Sequence, residues 1–118
     1  MPEKIRKKSD DILKVCLQNI KNTDVMQSVE YEPAGGRISM SGAWGRAEYR
    51  TYIKERLSNE MLSLLIHHAK SLDTGAKPLL LSDYINLNIA NVLHRNGMEF
   101  VDMAGNMFLK QSPLYMPN

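Results

Sequence analysis

Four polar residues stand where short apolar runs give way: Lys54, Asp83, Asp102 and Asn106. Two carboxylates and a lysine gathered at one sheet edge could hold a divalent cation and stabilise charge at a scissile phosphate. They could equally close on one another as an ion-pair network. A third reading needs no ligand: Asp83 helps cap the next helix, and Asp102 and Asn106 hold a turn by bonding backbone amides. The residue types alone leave these open. The stretch that would bring the acids together runs from Leu79 to Leu109, LLLSDYINLNIANVLHRNGMEFVDMAGNMFL.

That stretch reads as strand, helix, strand. Leu79-Leu80-Leu81 is a continuous apolar run, as a strand buried on both faces should be, and Ser82-Asp83 ends it. Asn86 is placed to cap a helix whose apolar side is Ile89, Ala90, Val92 and Leu93, and Asn96-Gly97 supplies its left-handed stop. Met98 to Val101 returns to strand. A right-handed parallel crossover would put Asp83 and Asp102 on the edge where open α/β sheets bind ligands.

The elements before it follow from periodicity. Ile5, Ile12, Leu13, Cys16, Leu17 and Ile20 recur at helical spacing, predicting an amphipathic helix over about 3–21. Val25 to Tyr31 and Arg37 to Ala43 flank the turn-rich Glu32-Pro33-Ala34-Gly35-Gly36, as a hairpin would. In a third run, Ala47, Tyr49, Thr51 and Ile53 point one way and Arg46, Glu48, Arg50, Tyr52 and Lys54 the other. A second helix is capped by Ser58, with Leu57 and Leu62 as a hydrophobic staple and Asp73-Thr74-Gly75 at its end. Met107-Phe108-Leu109 forms one more strand after the Ala104-Gly105-Asn106 turn. The fold class is therefore α/β with a mixed sheet: helix, three-strand meander, helix, strand, helix, strand or strands.

Other reactive side chains carry weaker signals. Cys16 lies on the apolar side of the first helix without an activating neighbour in sequence, as a small core residue does. His67 and His68 diverge around a helix and cannot share a metal, and His94 suits a helix C-terminus. The chain has 118 residues, enough for one domain over 1–118, and the abrupt tail suggests a piece of a longer protein. Net charge is only +2, too even to advertise nucleic-acid binding by itself. One cysteine excludes an internal disulfide, and no apolar run approaches the roughly 18 residues of a membrane span. A cytoplasmic location is expected, with no membrane partner and no cofactor.

The element order is also that of the restriction-endonuclease-like, PD-(D/E)xK fold. In that family an Asp on the second strand and an acid two residues before a Lys on the third hold a divalent metal. Here Lys54 ends the third strand, but Tyr52 occupies the acid position, and Arg37-Ile38-Ser39-Met40-Ser41-Gly42 contains no carboxylate. Glu48 shares the face of Lys54, yet six residues of strand span about 20 Å. The core resembles that fold with its catalytic acids lost.

Three phrases are more specific: Tyr52-Ile53-Lys54-Glu55-Arg56-Leu57-Ser58, then Pro78 to Ile85 with its Asp83-Tyr84-Ile85, then Glu99 to Leu109 with Phe100-Val101-Asp102-Met103-Ala104-Gly105-Asn106. Together they resemble the AbiEi-type antitoxin and transcriptional-regulator family of bacterial type IV toxin-antitoxin systems. The resemblance covers about the second half of the chain. It implies a non-catalytic nuclease-fold module of a bacterial regulator, acting by binding DNA or a protein partner. Binding would use Lys54, Asp83, Asp102 and Asn106, with Arg37, Arg46, Arg50 and Arg56 as phosphate contacts. The alternative expectation is a metal-dependent phosphodiesterase with rearranged ligands drawn from Asp83, Asp102 and Glu48. A third is a dimerisation domain, with Trp44 and the apolar Leu114-Tyr115-Met116 exposed.

Overall fold

The computed structural model describes residues 2–72, 75–110 and 115–117, with side chains over 8–72 and 75–110. Three helices pack on one seven-stranded sheet among the described residues. In chain order the elements are α1 (Pro2–Lys21), β1 (Ser28–Glu32), β2 (Arg37–Gly42), β3 (Gly45–Lys54), α2 (Asn59–Ser71), β4 (Lys77–Ser82), α3 (Leu87–Arg95), β5 (Glu99–Asp102), β6 (Met107–Lys110) and β7 (Tyr115–Pro117). The strands lie side by side in that same order. β3, β4 and β5 run parallel and all other neighbours antiparallel. The mixed α/β sheet expected from the sequence is present.

Its two faces are covered differently. On one, Ile12, Cys16 and Ile20 of α1, four residues apart and fully buried, meet Ile38, Met40, Tyr49, Leu79, Leu81 and Val101. On the other, Leu62, Leu65, Ile66 and Ala69 of α2 and Leu93 of α3 meet Leu80, Phe100 and Phe108. The three leucines of β4 thus split between the two cores, which is why that strand has no polar alternation.

The helix ends follow the local chemistry. Ser58 Oγ accepts from the Met61 amide at 3.2 Å, and Asn86 Oδ1 from the Ile89 amide at 2.9 Å. Gly97 adopts φ +67° after the Asn96 cap of α3. The stop expected at Asp73-Thr74 lies outside the described residues, and Leu72 caps α2.

Two expectations need correction. Both crossovers, through α2 and through α3, lie on one face, and strand order never reverses, so the carboxyl edge of β3–β5 holds no switch-point crevice. Trp44 is not an exposed interface residue: it is 4% exposed and its Nε1 donates to the Val25 carbonyl at 3.0 Å. A Cβ on Gly42 would sit 2.2 Å from that same carbonyl oxygen, so the indole is held in a space that only glycine leaves. Residues Tyr115–Pro117 add a seventh strand on β6, within the one or two final strands expected, although three residues ending in a proline carry too little pattern to announce one. Leu114 lies outside the described residues.

Candidate functional site

Register places Lys54, Ser82 and Asp102 in one row across the carboxyl ends of β3, β4 and β5. Alternation from Leu80 and Phe100 puts that row on the α2/α3 face. The row does not form a ligand cluster, because each member has turned to a different task.

Asp102 is fully buried and its carboxylate is occupied by its own chain. Oδ2 accepts from the Ile85 amide at 2.8 Å and from Asn106 Nδ2 at 2.9 Å, and Oδ1 accepts from the Asn106 amide at 2.9 Å. Around it the Asp102 amide donates to Asn106 O, and Gly105, at φ +97°, donates to Asp102 O. Asn19 of α1 closes the turn from the other side, its Nδ2 donating to the carbonyls of Asp102 and Met103 at 2.9 and 3.3 Å. Asp102 and Asn106 thus hold the β5–β6 turn and tie it to the loop between β4 and α3.

Asp83 turns to the opposite face, where its carboxylate meets Lys8 Nζ of α1 at 3.1 Å. With side chains 35% and 39% exposed, this pair contributes little to stability. Asp83 does not cap α3; Asn86 does. Lys54 is exposed and lines an apolar groove of about 350 Å³ with Tyr52, Leu57, Met61, Leu64, Leu65 and His68, to which neither aspartate contributes. The expected grouping of Lys54 with the two acids is therefore split three ways. Asp83, Asp102 and Glu48 do not assemble either, for no group of three or more His, Cys, Asp or Glu side chains among the described residues could hold a metal ion.

The arginines are set in a mixed field. Pairing across β1, β2 and β3 aligns Glu32 with Arg37 and Arg50, Glu30 with Ser39 and Glu48, and Ser28 with Ser41 and Arg46. All nine share the sheet face opposite α1, so three arginines lie among three glutamates there, with Lys54 farther along β3 on the same face. Arg50 is further engaged: Nε donates to Tyr52 Oη at 3.1 Å and Nη1 to the Ala76 carbonyl at 3.3 Å. Arg56 stands apart on the exposed β3–α2 loop. Glu48 between Arg46 and Arg50 is legible within β3 itself, whereas the placing of Glu30 and Glu32 near them needs the register.

Two buried groups complete the chemistry. Cys16 is fully buried, its Sγ lying 3.6 Å from Val101 O and 3.8 Å from Ser82 O, and burial pushes the thiol up to about 12. At neutral pH it should carry roughly a thousandfold less thiolate than an ordinary cysteine of pKa 9.0. We therefore expect a thiol reagent at pH 7.5 to label the native chain only after denaturant is added; stoichiometric labelling within minutes in buffer would contradict this environment. Glu99 is the residue that sequence reading passed over. It is 5% exposed at the opposite end of β5, where Oε1 accepts from Tyr49 Oη at 2.6 Å and the Lys110 amide at 2.8 Å. Burial raises its pKa, against the hydroxyl and amide that hold it down. The only advance signal was an acid opening the apolar run Glu99-Phe100-Val101.

The residues define a mixed α/β domain whose polar edge is internally satisfied. Comparison of the chain with protein-family models, with curated proteins and with solved structures finds no match. No helix among the described residues is long and apolar enough to cross a membrane.

Proposed function

We propose that this chain is a recognition module on a restriction-endonuclease-like core, of the kind that the AbiEi-type regulators and antitoxins suggest, and that it binds a protein partner rather than cutting a phosphodiester. The observation that carries this reading is the state of Asp102. The one carboxylate in the row with Lys54 spends both oxygens on three donors of its own chain, two of them backbone amides. A group so engaged would have to abandon the buried Ile85 amide and its bonds to Asn106 to take a metal ion, at a cost of roughly 1–3 kcal/mol for the stranded buried amide alone. The element order and the Asp83-Tyr84-Ile85 and Phe100-to-Asn106 phrases support the family reading. The mixed charge on β1–β3 favours a polypeptide over DNA, because Glu30, Glu32 and Glu48 lie among the arginines and repel a phosphate backbone laid across them.

Plasmid and RNA incubated with the protein and magnesium or manganese should stay intact. Cleavage that disappears in the Lys54→Ala variant, whose exposed side chain the fold does not need, would restore the phosphodiesterase reading. Gel-shift titration against random and promoter duplexes checks the second half. We expect no shift at micromolar protein in low salt. Binding whose log affinity falls against log salt with a slope of about −3, as three phosphate contacts would give, and which Arg46→Ala weakens, would return DNA as the partner.

A further inference from the structure

Among the described residues β1 ends the sheet: it pairs with β2 on one side and with no described strand on the other. Half of its amides and carbonyls therefore point outward, a template for another strand. Edge strands are usually blunted by lysine, proline, a bulge or a buried charge. β1 itself, Ser28-Val29-Glu30-Tyr31-Glu32, carries no lysine or proline, and it pairs with β2 without a break from Ser28 to Glu32. Its faces differ: Val29 and Tyr31 are half-buried on the core beneath α1, while Glu30 and Glu32 are exposed on the opposite face. A cavity of about 410 Å³, lined by Lys21, Met26, Gln27, Ser28 and Val29, opens at the start of the strand.

We propose that β1 is a strand-addition site for an extended segment that alternates basic and apolar residues. An added strand continues the sheet with the same alternation. Its residues on the solvent face lie beside Glu30 and Glu32, where lysine or arginine is complementary and an acid is repelled. Its residues on the α1 face continue the apolar row of Val29 and Tyr31. A second copy of this chain is the poorer occupant. Pairing β1 with itself over its full length sets Glu30 against Glu30 of the second chain, and like charges directly opposite destabilise a ladder. The inference rests on the reading of a protein partner and names that partner's chemistry. Its failure would show only in peptide binding, whereas failure of the binding reading would show as nuclease activity or DNA affinity.

Fluorescence anisotropy with a labelled ten-residue peptide of alternating lysine and valine tests it. Three controls accompany it: a glutamate-valine repeat, a peptide of the same lysine-valine composition with the alternation broken, and the lysine-valine repeat N-methylated at every second amide. We expect the alternating basic peptide to bind at least tenfold more tightly than each control, with slowed hydrogen exchange across residues 28–32. The exposed double variant Glu30→Lys/Glu32→Lys should reverse the preference between basic and acidic repeats while keeping the wild-type circular dichroism. Equal binding of the N-methylated peptide would reduce the effect to charge alone and overturn the proposal. Absence of binding, or protection of residues 28–32 that instead rises with protein concentration without peptide, would overturn it as well.

Discussion

Replacing Asp102 with alanine should cost about 4 kcal/mol of stability, since hydrogen bonds to a charged group are worth roughly 1.5–3 kcal/mol each and three end here. For a domain of this size the melting temperature should fall by on the order of 15 °C. The loss falls chiefly on the buried Ile85 amide, which would face a void that water does not reach, whereas the Asn106 amide sits in an exposed turn where solvent replaces the carboxylate. Asp102→Asn keeps the volume but turns an amide donor toward at least one of the three donors, so it should lie between alanine and the native chain. Chemical denaturation gives the energies, and hydrogen exchange at Ile85 and Asn106 gives the place. The sign also bears on function. A carboxylate kept for an absent ligand is a burden to the unliganded protein, and neutralising it leaves stability unchanged or higher. An Asp102→Ala variant within about 1 kcal/mol of wild type, with Ile85 still protected, would therefore count against the structural role.

The same residue shows what a sequence can and cannot disclose. Apolar periodicity made α1 legible because Ile12, Cys16 and Ile20 are all buried, and cap chemistry marked α2 and α3 at Ser58 and Asn86. Edge and order were another matter. Asp83 and Asp102 both stand at strand ends, so spacing puts them together. One residue of difference in where each strand stops sends Asp83 to α1 and Asp102 to the α3 side. Glu48 already interrupts the arginines within β3, but only the register brings Glu30 and Glu32 alongside them. Those are long-range facts, settled by which strands are neighbours. The phrases around Asp83-Tyr84-Ile85 and Phe100 to Asn106 were visible as a pair, and the pairing has a physical cause: the Ile85 amide donates to Asp102, and the Met103 amide lies 3.1 Å from both Ser82 O and Asp83 O. They are two halves of one hydrogen-bonded lock, which a strand-helix-strand unit needs whatever it binds.

At the other end of the parallel strands, stability should depend on pH through Glu99. Its carboxyl is raised above the ordinary value of 4.5, by burial first, while Tyr49 Oη and the Lys110 amide, with the charges of Lys77 and Lys110, oppose the rise. A carboxyl whose folded pKa exceeds its unfolded one binds protons more readily in the folded chain. The stability it lends is thus complete below 4.5 and is lost as pH climbs through the folded pKa. Glu99→Gln keeps the shape and cannot titrate, so the wild type should weaken relative to this variant as pH is raised from 4.5 toward neutrality. Tyr49→Phe acts on the same group from its partner. It removes a buried 2.6 Å bond and should cost about 2 kcal/mol where Glu99 is ionised, within the range for hydrogen bonds to charged acceptors. Because the hydroxyl is one of the groups holding the carboxyl down, its loss should also carry the pH-dependent interval upward. Denaturation curves for the three proteins at several pH values separate these effects. Parallel pH profiles for wild type and Glu99→Gln, or an interval that moves downward in Tyr49→Phe, would show that burial does not govern this carboxyl.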